Sequence, residues 1–168
     1  MFLVAGCARN GGLPDLPQRP VVILFENDVH CAVEGYAKMA ALKAEEQART
    51  PYVTVVSSGD FVQGDVIGSV TEGESIVGIM NRVGYDFVAP GNHEFDFGME
   101  RLQEIAQGLK GEELCANFIS IKTQDPVFKP YGIEDYGGCQ VAFIGLITPS
   151  TATSVIPKTF QDVEGNVA

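Results

Sequence analysis

The sequence predicts an α/β fold in which buried strands alternate with amphipathic helices. Short runs rich in Val, Ile, Leu and Phe recur along the chain, and segments with apolar residues at helical spacing separate them. Further along, two strand-like runs meet at Gly137-Gly138, which predicts an antiparallel hairpin. We therefore expect a mixed sheet, with parallel strands and at least one antiparallel addition.

The first twenty residues predict a leader and a linker. The apolar stretch "MFLVAGC" ends in small residues directly before Cys7, which resembles the lipobox of bacterial lipoproteins, where cleavage precedes a lipid-modified cysteine. A basic start and the usual apolar length are missing, as they would be if the start site were assigned too far downstream. Residues 8–20 are rich in Gly and Pro and predict a linker. We expect residues 1–20 to be a truncated signal and linker with Cys7 as the lipid anchor. The alternative is an accidental match at a terminus.

Two strand–helix units follow the linker. The run "VVILFE" (21–26) predicts a strand covered on both faces, because it is continuously apolar. A helix is expected from about Gly35 to Arg49, with Tyr36, Met39 and Ala40 on one side, and "YVTVVSSGD" (52–60) predicts the next strand and its loop. Apolar positions 76, 79, 80 and 83 predict a helix from Glu74 to Val83 that stops at Gly84.

The second half continues the alternation. "YDFVA" predicts a third strand, and apolar positions 102, 105, 106 and 109 predict a helix that Gly111 closes. "ELCANF" predicts a fourth strand, and the hairpin follows it. Cys115 and Cys139 lie in strand-like surroundings and are expected in the core.

Composition limits the classes of function. The chain has 168 residues, 45% hydrophobic and 20% charged, as an ordinary globular domain does. A net charge of −11 argues against a nucleic-acid partner, which favours a basic surface. A small phosphate substrate remains compatible, because divalent cations can reverse the local field. The four cysteines lack the spacing of a zinc site.

Polar side chains follow three successive predicted strands. "NDVH" places Asp28 and His30 after the first strand, "GD" places Asp60 after the second, and "GNHEFD" places Asn92 after the third. Asp60 follows Asp28 by 32 residues, and Asn92 follows Asp60 by 32 residues, each interval about one βα unit. Because ligands of open α/β sheets bind beyond the carboxyl ends of the strands, we expect these side chains to meet there.

The residue types suit two divalent cations. Carboxylate oxygen, imidazole nitrogen and amide oxygen are ligands for Mn, Fe, Zn or Mg. Asp28 and His30 can hold one ion, Asp60 can bridge, and Asn92 can hold the second. Two ions about 4 Å apart can clamp a phosphoryl group and activate a water molecule.

His93 and Asp96 complete the predicted site. Their spacing lets Asp96 accept a hydrogen bond from the imidazole, which would orient the ring and favour its charged form. The ring could then stabilise phosphoryl or leaving-group oxygens, while Glu94 would orient ligands. Each motif alone is compatible with a solvated loop, turn or helix cap. The three motifs in order favour a functional site.

The motifs "NDVH", "GD" and "GNHEFDFG", with "MNRVGYD" before the last, resemble those of the calcineurin-like metallophosphoesterases, and of their 5'-nucleotidase branch most of all. The stretch "FIGLITPST" is similar to a segment of that branch. The resemblance covers about residues 21–160. It implies a two-sheet α/β sandwich of the metallophosphoesterase type and a dinuclear site, with Asp28, His30, Asp60 and Asn92 as metal ligands and His93 with Asp96 as catalytic dyad.

The resemblance also implies a substrate and a location. Members of the branch hydrolyse nucleoside monophosphates, nucleotide-sugars or 2',3'-cyclic nucleotides, and are secreted, periplasmic or lipid-anchored. We therefore expect a hydrolase of the cell envelope that acts on a nucleotide or another small phosphate ester, with a membrane link only through Cys7.

One departure from the pattern stands out. Family members supply further histidines downstream, whereas no histidine follows His93 here. The later strands and the nucleoside-binding domain are also missing. We therefore expect residues 21–168 to be the N-terminal portion of an incomplete domain that holds the second cation poorly and is inactive alone.

Two alternatives remain open. The first is a non-catalytic, lipid-anchored protein that keeps the fold and only binds metal or ligand, a reading that the missing histidines support. The second is a related hydrolase with another ester as substrate, such as a cyclic-nucleotide phosphodiesterase or a thiosulfate-transferring enzyme. Metal analysis separates the first alternative from an enzyme.

Overall fold

The structure is a computed structural model that describes the backbone of residues 2–7, and backbone and side chains of residues 19–120 and 123–148. Two sheets and a layer of helices make up this part of the chain. The strands are β1 (Phe2–Cys7), β2 (Val22–Glu26), β3 (Val53–Ser57), β4 (Phe87–Val88), β5 (Glu112–Glu113), β6 (Tyr131–Asp135) and β7 (Gln140–Leu146). The helices are α1 (Val33–Gln47), α2 (Val66–Thr71), α3 (Glu74–Val83) and α4 (Met99–Gly108), with a 3-10 turn at His93–Phe95.

The two sheets differ in strand direction. One is parallel, in the order β2-β3-β4-β5, and the other is antiparallel, in the order β1-β7-β6. This arrangement confirms the predicted α/β fold with mixed strand directions. The predicted hairpin is β6–β7, and both glycines of its turn have positive φ, 71° at Gly137 and 96° at Gly138. The hairpin builds a second sheet instead of extending the first.

Apolar side chains fill the space between the sheets. Phe87 of β4 stacks on Phe143 of β7 with ring centroids 4.8 Å apart. Val56, Leu114 and Tyr136 belong to the same buried cluster. Gly132 leaves room for Phe87, since a Cβ there would lie 2.2 Å from the phenyl ring. Burial of these large side chains is the main force that joins the sheets.

The helices cover the other face of the parallel sheet. Val55 of β3 and Val88 of β4 are buried in a cluster with Tyr36 of α1 and with Ile76 and Met80 of α3. Val55 and Val56 belong to two different buried clusters, which shows that β3 is covered on both faces. The carboxyl ends of β2, β3 and β4 therefore lie side by side, and buried side chains pack against the sheet that carries them.

The prediction that residues 21–26 form a strand covered on both faces is wrong in one respect. Ile23 and Phe25 are 40% and 72% exposed, although Leu24 between them is buried. β2 is an edge strand of the parallel sheet. The apolar contacts between the two sheets are made by Val56 of β3, by Phe87 of β4 and by residues that follow β4 along the chain. A continuous apolar run cannot distinguish an edge strand from a central one.

Several helices and strands begin or end at residues other than those predicted. α1 begins at Val33 and leaves Ala40 exposed, whereas α3 has the predicted bounds and ends at Gly84, whose φ is 80°. α4 ends at Gly108, and Gly111 instead packs against the carbonyls of Tyr85 and Asp86, 2.3 and 2.9 Å from an added Cβ. The fourth strand is shorter than predicted, and α2 was not predicted because six residues carry too little periodicity.

The N-terminal segment has a backbone partner. β1 pairs with β7 in antiparallel register, from Phe2 opposite Leu146 to Cys7 opposite Val141. The predicted linker lies largely outside the described residues, in the range 8–18. Within the described part of the chain, no helix has the length and apolar character needed to cross a bilayer.

Candidate active site

Three loops meet at the carboxyl edge of the parallel sheet. The amide of Asp28 donates to the carbonyl of Gly59 (3.1 Å), and the amide of His30 donates to the carbonyl of Asp60 (2.9 Å), so the first two loops are joined by their backbones. The amide of His93 donates to Asp60 Oδ1 (2.8 Å), which joins the third loop to the second. The residues predicted from the three strand ends are therefore brought together.

Two glycines allow the second and third loops to touch. A Cβ on Gly59 would lie 2.2 Å from the amide nitrogen of Gly91, and a Cβ on Gly91 would lie 2.2 Å from Asp60 Oδ1. Gly59 also has a φ of 90°, a conformation that favours glycine. The glycines before Asp60 and Asn92 are thus required by the close approach of the two backbones.

The first predicted ligand pair is in direct contact. His30 Nε2 lies 2.9 Å from Asp28 Oδ1, and the other ring nitrogen, Nδ1, lies 3.3 Å from the carbonyl of Gln63. The Asp28 side chain is 58% exposed and the His30 side chain 37%. Both groups can therefore be reached from solvent.

Left-handed backbone conformations are concentrated here. The φ angles of Asp28, His30, Cys31 and Asp60 are 65°, 44°, 63° and 57°. Each costs on the order of 1–3 kcal/mol, and such residues cluster at functional sites. The strain shows that contacts of the two loops hold these side chains in place.

His93 and Asp96 form the predicted pair. His93 Nδ1 lies 2.8 Å from Asp96 Oδ2, and the two side chains are 33% and 29% exposed. Burial lowers the pKa of His93, but the bond from Asp96 and the charges of Asp60 and Glu94 outweigh it, so the pKa is raised. The contact leaves Nε2 of the ring available to a ligand.

Glu94 is fully buried between the second and third loops. Its Oε2 accepts the amides of Asp60 (2.7 Å) and Gly91 (2.6 Å), and its Oε1 accepts those of Phe61 (2.8 Å) and Val62 (3.3 Å). Burial raises the pKa of Glu94, against which the amide bonds act. Every polar contact of the carboxylate is with an N–H donor, so both oxygens act as acceptors.

Asn92 begins the 3-10 turn, and its side chain makes no capping hydrogen bond. The alternative interpretation of Asn92 as a helix cap is therefore wrong. The residues on either side of it both approach Asp60, since a Cβ on Gly91 would lie 2.2 Å from Asp60 Oδ1 and the amide of His93 donates to the same oxygen.

Two buried carboxyl groups lie behind the site. Both oxygens of Glu26 and of Glu113 lack a hydrogen-bond partner. Burial, together with the charge of Glu94, raises the pKa of Glu26 to about 7, and burial raises the pKa of Glu113 to about 8. Glu26 ends a predicted apolar strand, and its position did not distinguish it from a solvated residue.

The donors fit a cation in part. Ligand atoms at right angles around one cation, each about 2.1 Å away, are about 3 Å apart. Asp28 Oδ1 and His30 Nε2 are 2.9 Å apart, a separation that a hydrogen bond between them gives as well. However, no three or more His, Cys, Asp or Glu side chains of residues 19–120 and 123–148 are arranged to hold a metal ion.

Sequence reasoning missed the contacts that position these residues. The carbonyl of Gln63 faces His30 Nδ1, and the buried thiol of Cys31 donates to the carbonyl of Phe61 (3.1 Å). Cys31, Cys115 and Cys139 are all buried, which confirms the core position expected for the last two. Backbone carbonyls carry no signal in the sequence. Gly64 was the one residue of this segment that could have indicated a close approach of the backbone to His30.

The parallel sheet brings aspartates and histidines from three successive loops to one edge, and the comparisons with known proteins agree with the family that these motifs resemble. The family model for calcineurin-like phosphoesterases matches residues 21–162, and the chain belongs to this family. This confirms the resemblance found in the motifs.

Individual relatives agree with the family. The chain is 32% identical over 176 residues to the endonuclease YhcR of Bacillus subtilis (86% of this chain, 14% of the relative). It is 35% identical over 111 residues to the 5'-nucleotidase of Vibrio vulnificus (66% of this chain, 20% of the relative). The crystal structure of a 5'-nucleotidase precursor from Thermus thermophilus has 29% identity and a TM-score of 0.69, with 78% of this chain and 29% of that chain covered. The chain thus spans a fifth or less of the two curated relatives.

Proposed function

We propose that the chain carries the N-terminal part of a metal-dependent phosphoesterase site that hydrolyses phosphate esters of nucleotides. The observation that carries the proposal is the convergence of the Asp28–His30, Asp60 and Asn92–Asp96 loops at one sheet edge. Similarity to proteins named 5'-nucleotidase supports a nucleotide as the substrate.

We propose that the site takes two divalent cations, of Mn, Zn, Fe or Mg. Asp28 and His30 would hold the first, Asp60 would bridge, and Asn92 would hold the second. Oxygen and imidazole donors suit these ions. When bound, the cations supply charge that polarises the phosphoryl group and activates a water molecule.

His93 would act on the phosphoryl oxygens. Asp96 holds its Nδ1, so Nε2 can donate a hydrogen bond to an oxygen on which charge develops. The raised pKa of His93 favours the protonated ring that this role requires. Glu94 would position the second and third loops relative to each other. Its carboxylate accepts the amides of Asp60 and Phe61 in the second loop and the amide of Gly91 in the third.

We further propose that these donors alone bind the second cation weakly and that the 168-residue chain turns over slowly or not at all. The absence of a three-ligand group among the described residues supports this. It also supports a second candidate function, a non-catalytic protein of the same fold that binds metal or ligand.

Phosphate release from AMP and from 2',3'-cyclic AMP with Mn²⁺ tests the proposal. The measurement is made on this chain and on the product of its whole reading frame. We expect Asp60→Ala to abolish turnover, whereas Asp125→Ala, at an exposed position, should leave it unchanged. Turnover retained in Asp60→Ala would reject the bridging role. Mn²⁺ binding without turnover in the product of the whole reading frame would favour the non-catalytic candidate, and preference of that product for the cyclic ester would identify a phosphodiesterase.

Location is part of the proposal. We propose a periplasmic or surface lipoprotein anchored at Cys7. Cleavage before Cys7 would remove five of the six residues of β1 and expose the edge of β7, so lipid attachment and the β1–β7 pairing exclude each other in one mature molecule. Labelling with a palmitate analogue in bacteria should be lost in Cys7→Ser; unlabelled wild-type protein would reject the anchor.

A further inference from the structure

The segment that follows Asp60 contacts His30 at Nδ1, the ring nitrogen that does not face Asp28. The carbonyl of Gln63 lies 3.3 Å from His30 Nδ1, while His30 Nε2 faces Asp28 Oδ1 at 2.9 Å. Both facing oxygens only accept hydrogen bonds, so each ring nitrogen of His30 faces an acceptor. A cation held by Asp28 and by Nε2 would replace a proton on Nε2, and the ring proton would then be on Nδ1, where the Gln63 carbonyl accepts it.

Gly64 allows this approach. A Cβ at position 64 would lie 2.5 Å from the carbonyl oxygen of His30 and 2.6 Å from its Cβ. The φ of Gly64 is 133°, which L-residues rarely adopt. Any side chain at position 64 would push the segment away from His30, and the Gln63 carbonyl would move with it.

The segment is anchored on both sides of Gly64. Before it, the carbonyl of Phe61 accepts the Cys31 thiol. After it, Asp65 caps α2 by accepting the amide of Val66 (2.6 Å), and Gly68 lies against Cys31 Sγ, 2.0 Å from an added Cβ. The Gln63 carbonyl is therefore held in place, and a change at Gly64 cannot be absorbed by a free loop.

We propose that Gly64 is a positioning residue for the first cation. By letting the Gln63 carbonyl reach His30 Nδ1, it selects the tautomer that presents Nε2, together with Asp28, to a divalent cation. The inference rests on the proposed metal site and adds the group that orients its histidine. Groups that orient metal-bound histidines change metal affinity by about 10–100-fold when removed.

The test uses Zn²⁺ alone, in the absence of substrate, on the 168-residue chain. Isothermal titration gives the affinity, and long-range ¹H–¹⁵N correlation of the zinc-loaded chain shows which ring nitrogen is protonated. With only two histidines in the chain, a His93→Gln variant assigns the signals. In the unsubstituted chain we expect His30 bound through Nε2 with a proton on Nδ1. Zinc bound through Nδ1 would overturn the inference without any substitution at Gly64.

Gly64→Ala should bind Zn²⁺ about 10–100-fold more weakly and lose the single protonated Nδ1 signal. Gly138→Ala is the matched control, because its φ of 96° imposes a similar backbone cost while nothing lies within 4 Å of an added Cβ. Equal affinity of the two variants would overturn the inference. If Gly64→Ala does not fold, the test is the spectrum of the unsubstituted chain, which shows whether zinc-bound His30 carries its proton on Nδ1. If the unsubstituted chain binds no Zn²⁺, the proposed metal site fails, and the inference with it.

Discussion

Replacing Glu94 by glutamine tests whether this buried carboxylate joins the second and third loops. Each oxygen of Glu94 accepts two backbone amides, at Asp60 and Gly91 for Oε2 and at Phe61 and Val62 for Oε1. A glutamine side chain has one acceptor oxygen and one NH₂ group. In either orientation of the amide, two backbone donors would face another donor in a buried site.

The expected loss of stability is large. A buried donor without an acceptor costs about 1–3 kcal/mol, so two of them cost about 2–6 kcal/mol. Small domains have about 5–15 kcal/mol of stability in total. Because the side chain is 0% exposed, water cannot replace the missing acceptor. We therefore expect Glu94→Gln to lose a substantial part of the free energy of unfolding.

Urea unfolding followed by circular dichroism, in EDTA, measures this loss. Glu45→Gln is the control, because Glu45 is exposed on α1 and the same chemical change should cost less than about 0.5 kcal/mol. Hydrogen exchange locates the effect, and we expect faster exchange at the amides of Asp60 and Gly91. A Glu94→Gln variant as stable as the control, with unchanged exchange at these amides, would refute the reasoning.

Three further predictions follow from buried contacts. Gly91→Ala should unfold at lower urea concentration and lose Mn²⁺ binding, since a methyl group would lie 2.2 Å from Asp60 Oδ1. Tyr136→Phe should lower the free energy of unfolding by about 1–3 kcal/mol, because it removes the partner of the buried Thr54 hydroxyl. The pKa of Glu113 is raised to about 8 by burial, so the folded chain keeps a proton that the unfolded chain releases above about pH 4.5. Stability should therefore fall between about pH 4.5 and 8, and Glu113→Gln should flatten this profile in urea titrations.

Matched variants control these predictions. Gly78→Ala introduces the same methyl group where nothing lies within 4 Å, and should not destabilise. Tyr131→Phe removes a hydroxyl at a position that is 53% exposed, and should change stability by less than about 0.5 kcal/mol. Each prediction fails if the buried variant behaves like its exposed control, and the last fails if the pH profile of Glu113→Gln matches that of the unsubstituted chain.

The sequence was sufficient for the elements with strong local signals. α3 has the predicted bounds because its apolar stripe and Gly84 agree on where the helix ends. The hairpin was predictable from Gly137-Gly138, since a turn with two positive φ angles favours glycine. The three-loop site was predictable because strand ends of a parallel sheet meet at one edge, whatever the packing below.

Tertiary context decided the rest. The apolar run of β2 could not reveal that Phe25 lies on an exposed edge strand, because exposure depends on where the second sheet stops. Gln63 orients His30 through its backbone carbonyl, and a carbonyl is the same for every residue type. Glu94 was expected to orient ligands, but its four amide partners lie in loops separated by about thirty residues of sequence.

The negative charge at this edge of the sheet explains why a cation should matter to the fold as well as to catalysis. Burial and the charge of Asp60 raise the pKa of Glu94, and the charge of Glu94 adds to the effect of burial in raising the pKa of Glu26 and of Glu113. A divalent cation held by Asp28 and His30 would offset this repulsion. It would bind the folded chain and not the unfolded one, so stability should rise with cation concentration by about 2.7 kcal/mol at 100 times the Kd.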